Sequence, residues 1–461
     1  MNKFENNMSQ GSVLKNLVLF SLPFLASNLI QSLYNVADML IVGNFGGVDS
    51  ASRVNSMSGV NIGGQVTFIL TNIVIGFCMG ATVLIGQYIG AQKRDELKKV
   101  ISTILTMLIA LAAIFTTLML IFKRYVLDLL QTPPESYLES DRYLSVTLTG
   151  VIFIFAYNAL SAILRGMGDS KTPFYFVTVA CFTNIVLDLI FVAGFDQGAF
   201  GAALATVIAQ ALSVVLCVIY IKKRNFQFDF KLSSFKIYKD QLSLIVKIGL
   251  PTSVQNGIVS LSFLFLTGMV NTFGVAASAA VGAVGKFNSF VFMPITAISS
   301  SVSTISAQNI GANRLDRAVS VCKLGVGISF CIGALFFVIV RIFPEAILSI
   351  FGDDAKMIEN GIIYFSTFSF DLLIIPFIFC INGLFIGGGH TLFSLVTGMF
   401  SSVLLRVPAC YIFGIVFDWG LAGVGMGAPV ASAGSLLIIT GFLVSGRWKQ
   451  NVVHNAINIE M

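Results

Sequence analysis

The chain repeats itself. Leu22-Pro23 and Phe45-Gly46 recur as Leu250-Pro251 and Phe273-Gly274, 228 positions later. Gln87, Ile89, Gly90 and Ala91 recur as Gln308, Ile310, Gly311 and Ala312, and Gly166 and Gly168 as Gly387 and Gly389, each 221 positions on. Tyr143 and Tyr364 keep the same 221 spacing, and Gly198 and Gly201 return as Gly420 and Gly423 at 222. One scaffold is therefore used twice, and whatever the copies do not share is free to serve something other than the scaffold.

Both copies are built for lipid. Hydrophobic residues make up 56% of the chain and charged ones 11%, against about 25% charged in a soluble domain. Twelve apolar stretches are long enough to cross a hydrocarbon core at roughly 20 residues each. They fall at 15–43, 57–86, 98–122, 141–163, 172–195, 198–220, 242–271, 277–306, 317–342, 358–385, 392–417 and 421–445. No small-residue cleavage site follows the polar first ten residues, so the first run is expected to be a retained span. The expectation is an all-α integral membrane protein with a six-helix lobe over 1–221, a flexible cytoplasmic linker over 222–241 with an amphipathic piece at 226–235, and a second six-helix lobe over 242–461. Repeated apolar halves with binding between them are how many membrane transporters are built.

Lys and Arg set the orientation. The even-numbered connections carry fourteen, among them Lys93, Arg94, Lys222, Arg224 and Arg314, and the odd-numbered ones six. The positive-inside rule then places both termini in the cytoplasm. The net charge of +6 comes from these edges, and no nucleic-acid partner is implied. The seven cysteines are scattered through the spans as small packing residues. His390 and His454 lie in a turn and in the tail, and no metal-ligand spacing links either to a cysteine or carboxylate. A phosphate-binding glycine loop is absent, so no ATP is expected and uphill work must draw on an ion gradient.

Among the ionisable residues inside the spans, five are singled out: Asp38, Asp188, Lys286, Asp371 and Arg406. Each costs roughly 2.5–3.5 kcal/mol on insertion scales, so such groups usually line polar cavities. At about 1.5 Å per residue, Asp38 lies about 9 Å below the outer end of its span, and Asp188 and Thr206 about 12 Å below theirs. Asn184 is one turn from Asp188 and projects from the same face. The second copy lacks the set: Leu266 answers Asp38, Arg406 answers Asn184, Cys410 answers Asp188 and Ala428 answers Thr206. A demand of the scaffold would appear in both copies, so Asp38 and Asp188 are read as functional. Two carboxylates in a low-dielectric pocket disfavour the doubly charged state, which suits a proton carrier. With the Asn184 carbonyl and the Thr206 hydroxyl they equally offer Na+ hard oxygen ligands. In the second copy Lys286 replaces Gln65. Lys286, Asp371 and Arg406 either neutralise one another or, with Gln255 and Asn256, face a second cavity.

The chain resembles the MATE family of multidrug and toxic compound extrusion transporters, of bacterial type. The resemblance runs from end to end. It rests on Pro23, Asp38 and Val42-Gly43, on Gln87-Tyr88-Ile89-Gly90-Ala91, on the run Leu164-Arg165-Gly166-Met167-Gly168-Asp169-Ser170-Lys171-Thr172-Pro173, and on Asp188 followed by Gly198 to Thr206. It implies two six-helix lobes in a V, opening alternately to either side of a bacterial cytoplasmic membrane. It also implies export of drugs or metabolites against inward proton or Na+ movement, with the first-lobe cation site at Asp38, Asn184, Asp188 and Thr206. Two features depart from it. Span 7 carries Gln255 and Asn256 but not the Glu some relatives use, and the second glycine motif, Phe385 to Thr391, lacks a counterpart of Arg165.

The expected activity is therefore antiport of a lipophilic, cationic organic compound against H+ or Na+, by a monomer without cofactor, with Phe and Met forming an adaptable apolar wall. A flippase of lipid-linked or polyanionic compounds is the alternative within the superfamily. A membrane-embedded enzyme lacks a nucleophile–base pair or metal set, and a receptor lacks an extramembrane domain to signal through.

Overall fold

The computed structural model describes residues 5–223, 226 and 228–450, so Arg224 and His454 lie outside the described residues. Helices run α1 (Val13–Phe45), α2 (Ser50–Gly90), α3 (Arg94–Leu129), α4 (Pro134–Gly166), α5 (Lys171–Asp188) and α6 (Gly198–Lys223). After the connection follow α7 (Lys239–Asn271), α8 (Val275–Gly311), α9 (Leu315–Ile342), the short α10 (Pro344–Ser349), α11 (Ala355–Phe368), α12 (Asp371–Gly387), α13 (Thr391–Met399), α14 (Val407–Tyr411) and α15 (Gly420–Val444). Eleven described helical runs are long and apolar enough to span a membrane. The bent pair α11–α12, broken by 52° just before Asp371, brings the number to twelve when it is counted as one span.

The helices form two compact units. The first holds Leu22–Ile89 and Lys93–Lys247, with the start of the chain to Asn6. The second holds Asn7–Ser21, Gly90–Gln92 and Ile248 onward. These limits differ from the sequence boundaries in two ways. The first turns of α1 belong to the second unit, and the described residues 228–241 of the connection belong to the first and are bonded to it. The Ser102 hydroxyl donates to the Ser234 carbonyl at 2.6 Å, and the Tyr238 N–H donates to Thr103 Oγ1 at 3.1 Å. Phe228 packs edge-on against Phe230 and Phe235, so the aromatic run that suggested an amphipathic piece closes on itself.

The repeated glycine motifs do scaffold work in each unit. Gly168 and Gly389 sit at φ +89° and +85°, the left-handed region where a Cβ is costly, and let the chain turn sharply after α4 and α12. Gly166 and Gly387 lie where helices touch: an added methyl would meet Ile85 and the Thr82 carbonyl in the first unit, and the Ser303 carbonyl in the second. In the second unit the repeated glutamine, Gln308, accepts the Met8 N–H at 3.0 Å, while Arg314 and Arg317 donate to the Ser9 and Gln10 carbonyls at 2.8 and 2.9 Å. The segment leading into α1 is thus held by the repeated motif at the end of α8.

All seven cysteines are free thiols, five of them buried, Cys181 half-buried and Cys331 exposed. His390 bonds the Trp448 carbonyl through Nε2 at 2.9 Å.

Candidate functional site: a carboxylate pair beneath an amide-lined cavity

Within the first unit α1 carries Gln31, Tyr34, Asn35 and Asp38, a polar stripe at three- and four-residue spacing on an otherwise apolar helix. Asn61 and Gln65 repeat that spacing on α2, Asn184 and Asp188 on α5, and Thr206 and Gln210 on α6. Except for Asp188, these stripes face one cavity of about 520 Å3, also lined by Tyr143, Tyr157 and Asn158 from α4. Gly63 on α2 makes room for the Tyr143 ring, since a methyl there would lie 2.5 Å from a ring carbon.

Asp38 lines the cavity and is 7% exposed; Asp188 is fully buried. The two carboxyl groups lie within hydrogen-bonding reach of one another, with the Tyr34 and Tyr143 hydroxyls in electrostatic range of both. Asn184 Nδ2 donates to Thr206 Oγ1 at 3.3 Å. Asp38, Asn184, Asp188 and Thr206 therefore form one cluster. Directly after Asp188 the helix widens into a π turn over Leu189–Gly194, which the second copy repeats at Ile412–Val416, so this distortion belongs to the shared scaffold.

No protein donor reaches Asp38 Oδ1, Asn184 Oδ1 or either oxygen of Asp188. Buried acceptors are costly when left unmet, and two adjoining carboxylates without a cation or shared proton are costlier still. The oxygen set fits a proton or a hard monovalent cation, and among the described residues no group of three His, Cys, Asp or Glu side chains gathers for a heavier metal. Replacing Thr206 by Val keeps the volume and removes the acceptor of Asn184 Nδ2. We expect a loss of about 1–2 kcal/mol, read as a roughly tenfold rise in the ion concentration giving half-maximal transport, with no change in expression.

The second unit fills three of the four corresponding positions with weakly polar or apolar side chains, the fourth being Arg406. Cys410 and Ala428 are buried members of its core, Leu266 packs against them, and Cys410 donates to the Val424 carbonyl. Asp371 is buried at the first turn of α12, with Ser432 and Arg406 in electrostatic range and no protein donor on its Oδ1. The Arg406 guanidinium lies 5.0 Å from the Phe263 ring centre, with Nε and Nη1 lacking acceptors. Lys286 is exposed, and among the described residues no ion pair joins Lys286, Asp371 or Arg406 to an opposite charge. Gln255 lies against α13, its Nε2 2.7 Å from where a Cβ on Gly398 would stand, and the Asn256 carbonyl accepts the Ser260 hydroxyl. Of the two readings open for this set, mutual neutralisation is not realised through direct ion pairs among the described residues.

The expected Phe and Met wall is also not what lines the first-unit cavity: Phe68 and Met39 are there, among seven carboxamides and three tyrosines. The phenylalanines serve packing instead, as in the Phe385–Phe393–Phe442 stack of the second unit, or lie on the outer surface like Phe182 and Phe265. Gln31, Asn35, Asn61, Asn158 and Gln210 carry no charge and so escape a search for intramembrane ionisable groups. Their helical spacing from Asp38, Gln65 and Thr206 is the signal that finds most of them.

Comparison with known proteins agrees with this architecture. The MatE family model matches residues 23–190 and 251–412, one segment in each copy, while a model of the lipid II flippase MurJ matches 133–268. The probable multidrug resistance protein YoeA of Bacillus subtilis is 32% identical over 94% of both chains. The probable multidrug resistance protein NorM of Thermotoga maritima is 27% identical over 95% of this chain and 94% of its own. A solved structure of an outward-facing multidrug resistance MATE family transporter superposes with a TM-score of 0.86 at 23% identity, covering 98% of each chain.

Proposed function

The chain belongs to the MatE family, a membrane transporter of small molecules and not an enzyme, and from that premise we propose that it exports organic compounds in exchange for an inward-moving proton or Na+. One observation carries the reading: four unmet acceptor oxygens are buried together in one copy of a duplicated scaffold, and the other copy has no acceptor set there, its counterparts being Leu266, Cys410, Ala428 and the cationic Arg406. A charge that binds and leaves needs such a set, whereas a scaffold does not.

Asp38 and Asp188 hold the exchanged charge, and Asn184 and Thr206 orient them. Asp38 connects the pair to the substrate cavity, so ion occupancy and substrate occupancy influence one another through a shared wall. Coupling requires that the ion bind one conformation more tightly than the other. The cation site proposed for Asp38, Asn184, Asp188 and Thr206 has no counterpart in the second unit, where Asp371 and Arg406 are left a role in shaping the substrate path with Lys286, Gln255 and Asn256. Both termini face the cytoplasm in this reading, on the weight of Lys and Arg in the even connections, and the protein acts as a monomer in a bacterial cytoplasmic membrane. The flippase alternative is disfavoured because neither Lys nor Arg lines the cavity, where a polyanionic head would need them.

The test is ethidium movement in proteoliposomes under imposed proton or Na+ gradients, applied separately. Transport should follow one gradient and stop when it is collapsed. Transport indifferent to both would overturn the coupling.

A further inference from the structure

We propose that the first-unit cavity takes uncharged or weakly basic planar heterocycles with adjacent hydrogen-bond donors and acceptors, of the nucleobase and nucleoside class, in preference to donor-free lipophilic cations. The proposal rests on the transport reading above and names the substrate class of the same site.

The composition of the wall makes the case. Seven carboxamides and three tyrosines line the cavity against one carboxylate, Asp38. If Asp38 and Asp188, with Asn184, are committed to the coupling ion, the wall left for a substrate is neutral: six amides and three tyrosines set among apolar residues such as Val60, Phe68, Ile75, Ile154 and Val177. A carboxamide presents a donor and an acceptor side by side and pairs with a base edge carrying the complementary two, as Asn and Gln do with adenine. Tyrosine faces stack on planar rings. A cavity of about 520 Å3 is within the range of small-molecule sites.

The hydrogen-bond inventory sharpens this. The lining hydroxyls are largely spent on backbone: Thr67 donates to Gly63 O, Thr71 to Thr67 O, Thr147 to Tyr143 O, and Tyr157 to Pro173 O. Two amides outside the cation cluster are not: Gln210 Oε1 is buried without a donor, and Asn158 uses only Nδ2, on the Ile154 carbonyl. Gln65 and Asn61 are bonded to one another. A substrate with N–H or O–H groups meets these acceptors; a quaternary phosphonium or ammonium has nothing to offer them. A site built to hydrogen-bond its ligand rejects the analogue that lacks those groups, because the buried partners are then left unpaired.

The experiment is equilibrium binding to the full chain in detergent, without any gradient, of radiolabelled adenosine and radiolabelled tetraphenylphosphonium. Adenosine should bind at least tenfold more tightly. Asn158→Leu and Gln210→Leu, which keep bulk and remove the amide, should each weaken adenosine about tenfold, the effect of one lost buried hydrogen bond, and leave tetraphenylphosphonium within twofold. Tighter binding of tetraphenylphosphonium by the wild-type protein would overturn the proposal without reference to any variant, as would Leu variants that bind adenosine normally. No gradient enters this measurement, so its failure removes the substrate class alone. Failure of the coupling reading shows only in the vesicle assay.

Discussion

Replacing Asp188 with Asn is expected to abolish gradient-driven ethidium export while leaving the protein as stable as before or more so. Asp188 is fully buried, its oxygens meet no protein donor, and its carboxyl adjoins that of Asp38. The Asn amide has nearly the same shape and offers Asp38 a donor in place of a second negative charge. An uncompensated like-charge contact is thereby relieved, so the melting temperature in detergent should hold or rise. The group that binds and releases the coupling charge is gone, and the rate under an imposed gradient should fall roughly 100-fold, near the upper end of usual coupling free energies. Asp38→Asn should behave alike, and the double variant should lose little more than either single one, because residues acting as one unit are not additive. Export at the wild-type rate from either single variant, at normal expression, would remove the pair from the mechanism. A purely structural carboxylate predicts the opposite pattern, with activity kept and stability lost.

That pair was legible because charge inside a lipid-facing helix is conspicuous and because the chain supplies its own control in the second copy. Depth along each helix could be counted from 1.5 Å per residue, and it brought Asp38, Asp188 and Thr206 to similar levels. Lateral proximity could not be counted, and comes from how α1, α5 and α6 pack. The seven-amide wall was missed for a different reason. Asn and Gln are uncharged, so each alone reads as an ordinary helix residue, and only alignment of the stripes on five helices around one space gives them meaning. The aromatic residues divide as a membrane protein requires, most of them serving the core and the lipid-facing surface, and their number alone could not say which face a cavity. In the second copy Lys286, Asp371 and Arg406 looked mutually neutralising because they share a lobe. Helix rotation, invisible in the sequence, leaves Lys286 exposed and Asp371 buried at the break between α11 and α12.

The largest loss of stability is expected from Gly387→Leu. On α12, Gly383 and Gly387 are one turn apart, and they rest on Ser299 and Ser303, one turn apart on α8. A methyl on Gly383 would stand 2.6 Å from the Ser299 carbonyl oxygen, and one on Gly387 2.5 Å from that of Ser303 and 3.1 Å from the Ala307 nitrogen. Small residues spaced in this way let two helices approach closely in lipid, where packing rather than hydrophobicity holds them together. The obstructing atoms are helix backbone and cannot turn aside, so the whole α8–α12 contact must open. Overpacking of this kind costs about 3 kcal/mol or more, which for a domain of this size corresponds to a melting temperature lowered by roughly 10 °C. Gly166→Leu, the same change in the first copy, meets the Ile85 side chain at 2.8 Å and the Thr82 carbonyl at 2.9 Å. It should destabilise less, since part of the obstruction is a side chain. Gly257→Ala, on a helix face with nothing within 4 Å of the added methyl, should raise stability slightly through helix propensity. Melting curves of the three variants in one detergent test the ordering directly. If Gly387→Leu melts within 2 °C of the wild-type protein, the repeated glycine is not there to bring α12 against α8, and its recurrence at Gly166 needs a reason other than close packing.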